Sequence, residues 1–111
     1  MTMFEDELKN GNFVIGECGN CKNIIWPPSN YCNNCLSHAT WRKIIPNGKL
    51  LEFSKKDEIV FGIVELEGKI RVMGRLKINP AHIRNGQCVK LDSCNYENGP
   101  KFTFVSCNEP Y

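Results

Sequence analysis

A mostly β protein, with a short N-terminal helix, a metal-clipped hairpin and a five-stranded barrel, is the fold this 111-residue sequence predicts. Three observations predict it. Four cysteines, Cys18, Cys21, Cys32 and Cys35, form two Cys-x-x-Cys steps separated by ten residues. From Trp41 onward the apolar residues fall in short runs divided by Asn, Gly and Pro. One of those runs, Lys69–Ile78, alternates strictly between apolar and mostly basic positions.

Each Cys-x-x-Cys step brings two thiolates within reach of one tetrahedral ion. Two steps joined by a hairpin complete a closed Cys₄ site, the usual setting of structural Zn²⁺, with no open position for water or substrate. Iron in a rubredoxin-like tetrathiolate satisfies the same four ligands, and colour separates the two metals. The motif therefore speaks first to folding. A module of about 30 residues buries too little apolar surface to stand alone, so the ion supplies most of its folding free energy, roughly 10 kcal/mol or more. The organisation expected is a helix over 1–12, a rubredoxin-like zinc ribbon over 13–40 and a barrel over 41–111.

In the first segment Thr2 and Glu5 have the spacing of a capping box, Phe4 and Leu8 share one face, and Gly11 ends the helix. So short a helix is marginal alone and must dock, either on its own domain or on a partner. Between the cysteine pairs, Ile24, Ile25 and Trp26 suit a strand, and Pro27 and Pro28 turn the chain back toward Cys32. Trp26 and Tyr31 are expected to shield the metal and pack on the next domain.

Composition narrows the class. No stretch approaches the roughly 20 apolar residues needed to span a membrane, and the N-terminus carries acids where a signal peptide is basic. The chain reads as cytoplasmic, with no membrane partner. Seven cysteines, an odd number, fit a reducing compartment better than a disulfide framework. Cys88, Cys94 and Cys107 then read as buried reduced thiols. The net charge of +2 is uneven: residues 41–111 hold twelve of the fourteen basic side chains, well short of a typical nucleic-acid binder.

The barrel strands follow in order. Ile44-Ile45 leads through the Pro46-Asn47-Gly48 turn to Lys49–Ser54, and Ile59–Glu65 pairs with Lys69–Ile78. In the last, Ile70, Val72, Gly74, Leu76 and Ile78 form one face and Lys69, Arg71, Met73, Arg75 and Lys77 the other. A three-residue loop, Leu66-Glu67-Gly68, keeps both faces consistent by pairing Glu65 with Lys69 and Val64 with Ile70, with Gly68 left-handed. Asn79 caps a short helical turn, Pro80 sits at its first position and Gly86 ends it. Strands at Gln87–Asp92 and Lys101–Ser106 complete five, with the helical turn between the third and fourth. That is the order of an OB-fold barrel.

A Cys₄ hairpin with prolines between its knuckles, running straight into such a barrel, resembles the archaeal and bacterial acyl-CoA-associated OB-fold family, formerly a domain of unknown function. The matching stretches are Cys18–Cys21, Trp26-Pro27-Pro28, Cys32–Cys35, Gly48–Phe53, Ile63–Gly68, Val72–Leu76 and Ile83–Val89. The resemblance as a whole covers about residues 4 to 107, nearly the whole chain. The resemblance implies a non-catalytic, zinc-containing scaffold subunit bridging thiolase-type enzymes, acetoacetyl-CoA thiolase and hydroxymethylglutaryl-CoA synthase, at the start of the mevalonate route to isoprenoids. It also implies a role in enclosing a CoA substrate. The chain departs from the family pattern at Asn33 and Leu36 of the second knuckle, at Lys22 where glycine is usual, and at Ser29 where arginine commonly stands. The segment Ser54–Glu58 is short. Missing glycines imply strain where amides turn toward the thiolates.

Three readings of the basic face remain open: a solvated outer surface, contacts from Arg71, Arg75 and Lys77 to a CoA phosphate or acidic partner, or single-stranded nucleic acid along the barrel. The last wants aromatic platforms, and Met73 is the only large apolar side chain placed on that face. His38 and His82 read as surface residues. No nucleophile–base or paired-carboxylate arrangement can be assigned, so an enzymatic role is not expected.

Overall fold

The computed structural model describes residues 3–107, in two compact units. One comprises the chain up to Ile44 together with Asn95–Pro100; the other comprises Ile45–Cys94 and the residues from Lys101 onward.

The first unit opens with α1, Met3–Lys9. Phe4 and Leu8 are its buried residues, as their spacing requires. Gly11 takes φ +83° just beyond the helix, and its N–H donates to the Leu8 carbonyl at 2.9 Å. The expected Thr2 cap lies outside the described residues. The helix docks on its own unit: Phe4 meets Phe13 and Trp26 edge-on, with ring centroids 5.9 and 5.8 Å away. Such aromatic contacts contribute about 0.5–1.5 kcal/mol beyond burial. Trp26 is thus part of this aromatic cluster, and Tyr31 is 51% exposed with its ring tilted at 45° against His38, centroids 4.9 Å apart. The residues that pack with the buried cysteines are Ile25 and Ala39.

The ribbon sheet is three-stranded, in the order β2-β1-β3, from β1 (Val14–Cys18), β2 (Ile24–Ile25) and β3 (Ala39–Lys43). β3 pairs with β1 along its length, from Cys18 opposite Ala39 to Val14 opposite Lys43. Trp41–Lys43 are therefore ribbon residues by pairing. Arg42 and Glu17, on these neighbouring strands, form an ion pair at 3.3 Å.

The second unit carries a closed barrel, β4-β5-β6-β8-β7, with β7 returning to pair with β4; only the tip of the β7–β8 hairpin, Asn95–Pro100, groups with the first unit. Its strands are β4 (Asn47–Lys56), β5 (Ile59–Leu66), β6 (Ile70–Leu76), β7 (Cys88–Tyr96) and β8 (Pro100–Ser106). β6 and β8 run parallel, whereas β4–β5, β4–β7 and β5–β6 are antiparallel. Closure removes exposed strand edges. Between β6 and β7 lies a 3₁₀ turn, Pro80–His82, capped by Asn79 Oδ1, which accepts from the Ala81 N–H at 3.0 Å.

Two details differ from expectation. The β5–β6 hairpin does have a three-residue loop, but it is Glu67-Gly68-Lys69, placing Leu66 opposite Ile70, Val64 opposite Val72 and Glu65 opposite Arg71. Leu66 and Ile70 are both fully buried. Leaving Leu66 in the loop would have exposed it, at a cost of about 1.5–3 kcal/mol, whereas moving the loop one residue onward exposes only Lys69. Second, Cys88 and Cys107 are joined in a disulfide, with Cα atoms 5.5 Å apart. They are not buried reduced thiols; β7 and β8 bring together two positions nineteen residues apart in sequence. Cys94 is buried and reduced, as expected.

Candidate metal centre

The two cysteine knuckles repeat one backbone design. At the first, the Cys18 N–H donates to the Asn23 carbonyl at 2.8 Å, and the Lys22 N–H donates to the Cys18 carbonyl at 3.0 Å. At the second, the Cys32 N–H donates to the Ser37 carbonyl, and the Leu36 N–H to the Cys32 carbonyl, both at 2.8 Å. Each turn aims amides at sulfur: the N–H groups of Asn20 and Cys21 approach Cys18 Sγ at 3.4 Å, and that of Asn34 approaches Cys32 Sγ at 3.4 Å. Such donors favour thiolate over thiol.

The turns require a left-handed residue after the second cysteine of each pair, and Lys22 (φ 62°) and Leu36 (φ 63°) supply it. The missing glycines therefore leave strain in the backbone without displacing the ligands. For a non-glycine residue this conformation costs roughly 1–2 kcal/mol. Leu36 is also 77% exposed, so its side chain recovers little by burial. Leu36→Gly should stabilise the metal-loaded ribbon by about 1 kcal/mol; an unchanged or lowered unfolding midpoint would contradict this account of the turn.

All four sulfurs lie within 4.8 Å of one another. Cys18 and Cys35 are 3.3 Å apart, Cys21 and Cys32 3.7 Å, and Cys21 and Cys35 3.8 Å. A tetrahedral ion with metal–sulfur bonds of about 2.3 Å requires sulfurs about 3.8 Å apart. The four fit one ion. Cys18 and Cys32 are buried among Ile25 and Ala39, so the cluster is backed by apolar surface on one side.

Electrostatics within the cluster is asymmetric. Cys35 is held down to about 6 by the Ser37 hydroxyl and amide, and by the Cys18 thiol. Cys32 is also lowered, by the backbone amides of Cys35 and Asn34. Cys21 is pulled down by the Asn23 backbone, but the neighbouring thiols and burial outweigh this and raise it to about 11. Four like charges do not share so small a space without a cation, so a proton remains on Cys21 until a metal replaces it. Loading with Zn²⁺ at pH 7 should therefore release Cys21's proton. At pH 5, below the value of Cys35, the release per ion should rise and the affinity fall. Titration in weak buffer with a pH indicator measures this; proton release independent of pH would refute it.

The basic face is less unified than the alternation implied. Arg71, Met73 and Arg75 do point outward from β6. Arg71 pairs with Glu65 at 3.2 Å, however, and Lys77 with Asp92 at 3.5 Å. Beside them sequence reasoning missed apolar company. Leu51, Ile63 and Met73 line a groove of about 330 Å³ with Arg71, and Phe53 and Phe61 line its neighbour of about 110 Å³. The irregularity between Leu50 and Glu52 inserts Leu51 as an extra residue against β5. Alternation alone carries no signal for it. His38 and His82 are exposed.

Residues 6–40 match a family model described as ChsH2, rubredoxin-like zinc ribbon domain. The chain has the two-part fold of DUF35 proteins. The solved structure described as "Ltp2-ChsH2(DUF35) aldolase" contains a chain of that fold, with TM-score 0.73 and 22% identity over 93% of this chain and 91% of that one. A DUF35 protein of unknown function from Sulfolobus solfataricus matches with TM-score 0.60 and 13% identity, over 90% of this chain and 81% of that one. No curated protein matches the sequence. The family resemblance read from the residues agrees with these findings, and the segment that matches the zinc-ribbon model holds the four cysteines.

Proposed function

We propose that this chain is a non-catalytic, zinc-clipped subunit that docks on a thiolase-type enzyme acting on acyl-CoA. The observation that carries the reading is the DUF35 fold over nearly the whole chain, shared with a protein whose own description couples ChsH2 to the partner Ltp2 in an aldolase. The closed Cys₄ cluster supports it, because a tetrathiolate with every position filled holds a shape and does not turn over substrate. The finer form is a bridge between acetoacetyl-CoA thiolase and hydroxymethylglutaryl-CoA synthase in the mevalonate pathway, in the cytoplasm. There Arg71, Arg75 and Lys77 would meet a CoA phosphate or an acidic partner surface; the surface ion pairs of Arg71 and Lys77, worth only about 0–1 kcal/mol, are easily exchanged for such contacts.

The test is co-expression with the thiolase and synthase of the same cell, followed by size-exclusion chromatography. Co-elution at micromolar concentration is expected. Separate elution of all three, with and without CoA, would sink the proposal.

A second reading, binding of single-stranded nucleic acid, is favoured by one observation. Phe61, Ile63 and Met73 lie on the second and third barrel strands beside Arg71, the strands on which OB barrels bind oligonucleotides. Its mark is retention of single strands that weakens steeply as salt rises.

A further inference from the structure

We propose that the Cys88–Cys107 pair is a reversible thiol–disulfide exchange site for an anionic low-molecular-weight thiol. The inference rests on the barrel unit alone and stands or falls separately from the enzyme-partner reading.

Structural disulfides are usually shut away in a core. This one is not. Cys88 opens β7 as an exposed residue, and Cys107, just past β8, is half-buried. The Cys107 N–H donates to the Cys88 carbonyl at 3.3 Å, so the backbone holds the two sulfurs as neighbours whether or not they are bonded. Cys88 also lines a groove of about 450 Å³ whose walls include His82, Arg84, Gln87 and Ser106. His82 and Arg84 are both exposed, and the described lining residues include no carboxylate. Lys49 adds a second permanent positive charge nearby, directly opposite Cys88 in the β4–β7 register.

The groove thus combines an accessible disulfide with positive charge. Both requirements of exchange are met: positive charge concentrates an incoming thiolate that carries further negative groups, and it stabilises the thiolate that leaves. The steps balance. An incoming thiolate RS⁻ attacks the Cys88 sulfur, forming an RS–S bond to Cys88 and expelling the Cys107 thiolate. A second RS⁻ attacks the R-bearing sulfur, giving RSSR and the Cys88 thiolate. The protein disulfide gains two electrons and two RS⁻ lose one each; the reverse sequence, with RSSR as oxidant, restores the bond. Anionic thiols of two kinds fit this chemistry, one bearing phosphates, such as CoA, and one bearing carboxylates, such as glutathione.

The experiment uses the full, metal-loaded chain. Reduction of the disulfide is followed with CoA, with glutathione and with uncharged 2-mercaptoethanol, each rate corrected to the thiolate present. At low salt at least one anionic thiol should react about tenfold faster than the neutral one, and the advantage should shrink at high salt. Arg84→Gln should remove most of that advantage and leave the neutral rate unchanged. In Cys107→Ser, incubation with the corresponding RSSR should add one R group, located by peptide mass spectrometry on Cys88. The faster of CoA and glutathione identifies the source. Equal rates for charged and neutral thiols, an advantage untouched by Arg84→Gln, or a mixed disulfide at a cysteine other than Cys88 would each overturn the proposal.

Discussion

Replacing Cys32 with serine, or stripping the metal with a chelator, should unfold the ribbon and leave the barrel standing. Cys32 is fully buried, accepts from the Asn34 amide and anchors the second knuckle. The ribbon sheet offers little to replace it: β2 is two residues long, and the helix of the same unit spans seven residues. An ion bound by four thiolates contributes on the order of 10 kcal/mol to folding so small a module, more than the whole stability of many domains. The barrel has its own buried residues, Leu50, Val64, Leu66, Ile70, Val89 and Phe104, and needs no ion to hold them together. Both tryptophans, Trp26 and Trp41, lie in the ribbon unit, so their fluorescence follows the unfolding of that unit. Hydrogen exchange should show protection lost over Val14–Cys18 and kept over Ile59–Leu66. Ribbon amides that stay protected in chelator would show that the metal is not what holds the fold.

Phe104→Ala should be the most damaging single change in the barrel, at about 3–5 kcal/mol. Phe104 is the largest fully buried side chain, and its ring fills the space that the glycine at position 74 leaves on β6. A Cβ built at Gly74 would stand 2.6 and 2.8 Å from that ring, too close for any real contact. Gly74→Ala should therefore also destabilise, by about 1–3 kcal/mol through overpacking. The two changes share one volume. Combining Gly74→Ala with Phe104→Leu should cost clearly less than the sum of the separate effects, by an interaction of roughly 0.5–3 kcal/mol. Denaturant melts of the four proteins measure it, and strict additivity would mean that the ring and the glycine do not compete for the same space.

That pairing illustrates how far the chain could be read without coordinates. Gly74 falls on the apolar face of the alternating run, and period two is enough to put it there. Only the parallel pairing of β6 with β8, through Arg75 opposite Thr103 and Leu76 opposite Phe104, reveals why that position must lack a side chain. The hairpin between β5 and β6 carries the same lesson. Its loop length and left-handed Gly68 follow from the faces, but two registers preserve those faces equally. Burial of Leu66 against Ile70 chooses between them.

The metal centre was more legible. Two Cys-x-x-Cys steps at hairpin spacing state the ligands, their number and their closed geometry, because each step is local and its turn allows few conformations. The left-handed strain at Lys22 and Leu36 follows from the same local rules. The cysteines outside the motif were not legible. Cys88 and Cys107 have no metal-ligand spacing, and their disulfide exists because the far ends of the consecutive strands β7 and β8 lie side by side, nineteen residues apart. The groove beside Cys88, the aromatic cluster that claims Trp26 and the apolar residues beside Arg71 are likewise products of long-range closure. By itself the sequence determined the elements, the cysteine cluster and the two-part order, since turns, periodicity and cysteine spacing act over a few residues. The tertiary structure alone decided register, disulfide and surface, since these depend on which distant side chains compete for the same space.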